Sequence, residues 1–309
     1  MKFQEFTGLH DLQKAFPNEQ VCIDYLERLR WNGNVISPFN KDSKVYKCSD
    51  NKYRCKLTKK YFTVRTGTIF ADSKIPLTKW MMGIFLFTSH KKGISSIQLG
   101  KDLDIKQKAA WFMLHRLRFA MSRKNIFDFY LTGTVEMDES FLGGKEANKH
   151  ASKKTIERTN DKAVVFGMVE RGGKARMFYV PNHQNETIEP IIYNHVSKEA
   201  RVMTDEGNAY SKIKADYNHQ TIKHMLKEYV RGEVHTNTVE NLWSCLKRGI
   251  YGTYHFTSKK HLQMYLEEFA FRYNRRKQTE YSRFNSFFDY ANNGSLKWND
   301  LIQKGVQNV

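Results

Sequence analysis

The chain has 309 residues, 40% hydrophobic and 14% aromatic, with 51 Lys and Arg against 32 Asp and Glu, a formal charge of +19. That apolar content excludes a disordered tail, and the longest apolar run, residues 80–87, falls far short of the roughly 20 residues that cross a bilayer. A positive field of this size attracts polyanions, which puts nucleic acid ahead of an acidic membrane surface as partner.

The first residues show no apolar signal core, and four scattered cysteines make no disulfide framework, so the expected location is the cytoplasm. Residues 1–30 read as a helical segment, with Phe16, Val21, Cys22, Tyr25, Leu26 and Leu29 recurring at three- and four-residue intervals. Residues 41–74 hold ten Lys or Arg and three Asp or Glu, with Tyr46, Tyr53, Tyr61 and Phe62 interleaved. This predicts a compact, basic, strand-rich segment. Residues 92–121 change to helical period. Gly93 breaks the chain, Ser95 with Gln98 forms a capping box, and Ile97 and Leu103 supply an apolar stripe. A turn at Asp104-Ile105 precedes a second helix from Lys106 that keeps Ala110, Leu114 and Leu117 on one face. The pattern fits a helix-turn-helix whose second helix would enter a major groove through Gln107, Lys108 and Trp111. An ordinary helical hairpin fits the spacing equally well, and the surrounding positive charge favours DNA.

Beyond Phe127 the apolar period becomes two. T-V-E-M-D-E-S sets Val135 and Met137 on one face and Asp138 on the other, and Asp138 is expected to close the strand. Residues 163–169 and 175–180 give two more strands joined by an R-G-G-K turn; a helix over 187–196, a strand ending at Asp205, and a strand over 219–224 follow. The order predicts a mixed α/β layer. The next helix begins in H-T-N-T-V-E-N-L-W-S-C-L-K-R-G, with Asn237 as the expected cap and Val239, Leu242, Trp243, Leu246 and Ile250 as the buried stripe. Glu240, Ser244 and Lys247 share a neighbouring polar face, because i, i+4 and i+7 lie nearly above one another. A further helix turns Leu262, Leu266, Phe269 and Tyr273 inward. Cys22 and Cys245 are expected in the core, and His224, His235 and His255 in structural or DNA-contacting roles.

Taken singly, each acid reads as a solvated residue or a cap, as Glu139 and Glu206 do. As an ordered set, Asp138, Asp205 and Glu240 would repel one another unless divalent cations satisfied them. Two magnesium ions about 4 Å apart activate an attacking oxygen and stabilise a leaving oxygen on phosphorus.

V-E-M-D-E-S-F-L-G-G-K, V-M-T-D-E-G-N-A-Y and H-T-N-T-V-E-N-L-W-S-C-L-K-R-G-I-Y-G-T-Y-H resemble bacterial insertion-sequence transposases of the DDE class, in the branch related to eukaryotic Merlin elements. K-H-L-Q-M-Y-L-E-E-F-A-F-R-Y-N-R-R, F-T-V-R-T-G-T-I-F and K-A-A-W-F-M-L-H-R-L-R are similar to the same branch, and the likeness runs in order from about residue 31 to 276. The resemblance implies an RNase H-like domain with Asp138, Asp205 and Glu240 as ligands of two Mg2+ or Mn2+ ions. Lys247, seven residues after Glu240, would contact DNA at the reacting phosphate, with Arg248 beside it. It also implies two C-x2-C zinc pairs near the N-terminus, but here these positions read Ser37 and Asn40, then Cys55 and Thr58. The ribbon is therefore expected to lack zinc and to be held by Tyr46, Tyr53 and Phe62.

The expected division is a helical segment at 1–30, a degenerate zinc-ribbon-like segment at 31–75, a helix-turn-helix at 76–126, the RNase H-like catalytic domain at 127–290 and a tail at 291–309. The expected protein is a nucleoid-associated transposase that binds terminal inverted repeats and target DNA, works as at least a dimer, and catalyses cleavage and strand transfer. A nuclease without strand transfer and a domesticated DNA-binding regulator are the rivals.

Overall fold

The computed structural model describes residues 5–122, 129–144, 162–206, 210, 212–222, 230–292 and 294–304. The chain forms two compact units, one of residues 1–123 with 277–309, the other of residues 124–276. Expectations that fall on His224 and on the residues after Gly144 in the first acidic motif lie outside the described residues.

The first unit begins with α1 (Leu9–Ala15) and α2 (Glu19–Trp31). Asn18 caps α2 by accepting from the Val21 amide at 3.0 Å, and Asn32 ends it in the left-handed region at φ 44. Cys22, Tyr25, Leu26 and Trp31 are its buried residues, whereas Leu29, expected inward on the same stripe, is 47% exposed. A three-stranded antiparallel sheet follows: β1 (Val45–Lys47), β2 (Tyr53–Cys55) and β3 (Tyr61–Phe62). Tyr53 and Phe62 are buried beside Trp31, with ring centroids 5.2 and 6.1 Å from it. Tyr46 pairs with Arg54 on the opposite face and is exposed, so it does not hold the sheet as expected.

Helix α3 (Leu77–Ser89) is buried nearly all round. The expected helix pair is α4 (Ser96–Asp102) and α5 (Gln107–Met121), joined through Asp104 at φ 48. Ser95 caps α4 by accepting from the Gln98 amide at 3.1 Å, but the Gln98 side chain donates to Asp102 and does not close the box. Ile97 is exposed; the burial of α4 is carried by Leu99 and Gly100. A Cβ on Gly100 would stand 3.0 Å from the Ile105 carbonyl, so glycine permits the tight turn.

The second unit is a mixed α/β layer. Its strands are β4 (Thr134–Leu142), β5 (Ala163–Glu170), β6 (Ala175–Val180), β7 (Arg201–Asp205) and β8 (Asn218–Ile222), in the spatial order β6-β5-β4-β7-β8. β4, β5 and β6 form an antiparallel meander, and β7 and β8 extend the sheet in parallel with β4. Helix α6 (Asn185–His195) covers one face, where Val135, Met137, Phe166 and Met168 meet Ile188 and Ile192. Helices α7 (Asn237–Gly249) and α8 (Lys259–Asn274) cover the other, packing Trp243, Leu246, Leu266 and Phe269 on Val165, Val169 and Met177. Asp138 does not close β4: pairing continues through Leu142, because Phe141 and Leu142 still find partners on β5.

The chain then returns to the first unit as α9 (Glu280–Ala291), whose Phe284 and Phe288 meet Phe16 and Tyr25. The expected catalytic boundary at 290 is therefore displaced, since α9 has its apolar partners in the first unit. Among the described residues no helix is long and apolar enough to cross a membrane.

Candidate active site

Strand register brings the first two acids together. The parallel pairing of β4 with β7 runs Thr134–Arg201, Val135–Val202 and Glu136–Met203. Two residues further along each strand come Asp138 and Asp205, on the same face as Glu136 and Met203 by alternation. Helix α7 lies over that face of β4 and brings Glu240 in its first turn. Asp138, Glu139, Ser140, Glu240, Trp243, Ser244, Lys247 and Arg248 line one cleft. Burial raises the Asp138 carboxyl to about 6, opposed by the Trp243 hydrogen bond and reinforced by the negative charges of Asp205 and Glu240. The three acids thus share one electrostatic environment.

The start of α7 is held by a strand residue. Asn237, expected as cap, is the first helical residue, and Thr236 precedes it without a side-chain cap bond. The first-turn amides of Thr238 and Val239 donate instead to Glu136 Oε2 at 2.7 and 3.0 Å. Thr238 Oγ1 and Arg171 Nε donate to Glu136 Oε1 at 2.8 and 2.6 Å. His235 lies 3.2 Å from the same oxygen, which gives it a structural place. Glu136 stands two residues from Asp138, so the strand that carries one acid fixes the helix that carries another.

Glu139, read from sequence as an isolated acid, is not one. It accepts from the buried Tyr210 hydroxyl at 2.6 Å, and burial, opposed by that bond and aided by the charges of Asp138 and Asp205, raises it to about 7. The sequence signal was Tyr210 in the second acidic motif, but only the fold joins the two. Cys245 is exposed beside Asn241, on the side of α7 away from Leu242 and Leu246, and not in the core as expected.

The other predicted residues lie in the first unit. Gln107 donates to Ser96 at 2.8 Å, the Lys108 ammonium sits 4.7 Å from the Trp298 ring centroid, and Trp111 lies 5.6 Å from the same ring. The proposed base-reading face is thus partly occupied by the chain's own C-terminal segment. Beside the β1–β3 sheet, Ser37, Ser43 and Thr58 surround the buried Cys55 sulfur. Burial works against its ionisation, yet hydrogen bonding with those three residues brings it down to about 6. Asn40 stays apart, accepting from the Asp42 amide at 3.0 Å.

Among the described residues no group of three or more His, Cys, Asp or Glu is gathered closely enough to hold an ion by itself. Magnesium is ordinarily held by one or two carboxylates together with water and substrate phosphates. An all-oxygen set of Asp138, Asp205 and Glu240, with Asp138 resisting ionisation beside two like charges, fits such a hard cation in donor chemistry.

Fold and site together define a mixed α/β domain that presents carboxylates in a cleft between its sheet and a covering helix. Residues 130–274 match the family described as the ISXO2-like transposase domain. A protein in the transposable element ISH50 of Halobacterium salinarum is 25% identical over 276 residues, 84% of this chain and 92% of that one. A transposase-like protein of Haemophilus influenzae is 29% identical over 96 residues, 31% of this chain and 76% of that one. Residues 130–274 are thus similar to an insertion-sequence transposase domain, and the likeness to the ISH50 protein extends over most of the chain.

Proposed function

We propose that the protein is a DDE transposase that binds the terminal inverted repeats of its element and carries out cation-dependent strand cleavage and strand transfer. The observation that carries this reading is that Asp138 feels the charges of both Asp205, on the neighbouring parallel strand, and Glu240, on the helix over its own strand. The sheet order, with an antiparallel meander continued by parallel strands, supports an RNase H-like domain.

In this reading Asp138, Asp205 and Glu240 hold Mg2+ or Mn2+, two ions per site. When bound, the cations supply charge stabilisation at the attacking and leaving oxygens of an in-line displacement on phosphorus. Lys247 and Arg248, both about two turns beyond Glu240 on the same cleft, offer the positive charge that a DNA phosphate needs. The buried Glu136 anchor holds α7 in register so that these groups meet one phosphate together. The basic sheet β1–β3 and the α4–α5 pair, read as a degenerate ribbon and a helix-turn-helix, contribute DNA binding. The hydroxyl-lined Cys55 supports a ribbon that works without zinc, and pairing of two element ends calls for at least a dimer.

The test is a joining assay with linear DNA carrying the element ends and Mg2+. Cleavage and joined product are expected from the wild type, and neither from Asp138→Asn, Asp205→Asn or Glu240→Gln. Cleavage with no joined product would favour the nuclease, and unchanged DNA transactions in Asp138→Asn would favour the regulator.

A further inference from the structure

We propose that Trp243 is a positioning residue that orients Asp138, and that Gly167 is glycine in order to admit it. The inference rests on the reading of Asp138 as a cation ligand.

The Trp243 indole Nε1–H donates to Asp138 Oδ2 at 2.8 Å. An indole nitrogen is a donor only, so this contact engages Oδ2 and, in the proposed reading, keeps Oδ1 for the cation. The ring itself is buried among Val165, Leu246 and Leu266 and is held by that packing. Its plane fits because Gly167 is the residue paired with Asp138 across β4 and β5. A Cβ at that position would stand 2.3 Å from Trp243 Cη2 and 2.6 Å from Cζ2, atoms of a rigid ring that cannot yield separately. Glycine inside a central strand weakens it, and here a close approach supplies the reason. If Trp243 served packing alone, a phenylalanine would keep most of the buried surface and the carboxylate would be indifferent. If it positions Asp138, loss of the N–H is felt at the ion.

The experiment is calorimetric titration of the full chain with Mn2+, without DNA, for the wild type, Asp138→Asn, Trp243→Phe, Gly167→Ala and the double Trp243→Phe/Gly167→Ala variant. Outer partners of ion ligands commonly contribute 10–100-fold in affinity, so Trp243→Phe and Gly167→Ala are each expected to weaken Mn2+ by about tenfold or more. The double variant is expected to be no weaker than Trp243→Phe, since both changes break the same contact. If Asp138→Asn leaves Mn2+ binding unchanged, the cation-site reading fails. If Asp138→Asn removes binding while Trp243→Phe keeps wild-type affinity, that reading stands and the positioning role is overturned.

Indole 15N–1H spectra give a second readout should Gly167→Ala fail to fold. The Trp243 signal, found by its loss in Trp243→Phe, should shift in Asp138→Asn and broaden in the wild type on adding Mn2+. An indole signal indifferent to both overturns the proposal.

Discussion

Glu136 is wholly buried, yet it carries the ion pair with Arg171 and two amides from the first turn of α7. Removing one partner of a buried pair leaves the others desolvated and unmatched, so Glu136→Ala is expected to cost about 3–5 kcal/mol in urea unfolding. A loss within the range of ordinary surface changes would show that α7 is anchored by packing alone. Glu267 on α8 offers a pH test. Burial raises its carboxyl to about 8, against a hydrogen bond from Gln263 that lowers it. Between the ordinary glutamate value and about 8 the unfolded chain has released a proton that the folded chain keeps, so stability falls as pH rises through that window and levels off above it. Glu267→Gln should flatten this slope and raise the melting temperature most at the alkaline end; an unchanged slope would assign it elsewhere. The three acids were legible in the sequence because each stands in a long motif. Glu136, Glu139 and Trp243 were not, because their partners come from other strands and helices, and spacing along the chain carries no record of register.

At the scale of elements, period reveals the second unit's strands and helices and the α4–α5 pair, misses α3 and α9, and fails at edges. The strand and helix order of the second unit follows from the switch between two- and four-residue intervals, as does the α4–α5 pair. Leu29, Ile97 and Cys245 are exposed although the sequence pattern expects them inward, because period marks a stripe and only the neighbouring element decides how much of it is covered. The C-terminal segment is the clearest case of something hidden from the sequence. Trp298 lies 5.3 Å from Phe112 and also meets Trp111 and Lys108, on the helix face expected to read DNA. Trp298→Ala is expected to free that face and tighten binding of element-end DNA, measured by fluorescence anisotropy at fixed salt. Unchanged or weaker binding would mean that this face does not meet DNA.

At the scale of the whole molecule, the chain leaves its first unit, builds the second over residues 124–276, and returns to complete the first. A boundary placed at 290 followed from reading domains as consecutive segments, and composition alone gives no hint that α9 belongs with residues far upstream. Tyr25 donates to Asn285 at 2.7 Å, and Phe284 meets Phe6 and Phe16. Ending the chain after Arg276 should therefore strip amide-exchange protection from α1–α3 while β4–β8 keep theirs; equal loss in both units would show one cooperative core. The central claim is that Asp138, Asp205 and Glu240 act as one cation site, and anomalous diffraction from crystals grown with Mn2+ tests it most directly. Peaks should lie between the two aspartates and Glu240, within oxygen-ligand distance of Asp138 Oδ1. Manganese bound only elsewhere, or none at this cleft in protein that remains active on DNA, would contradict it.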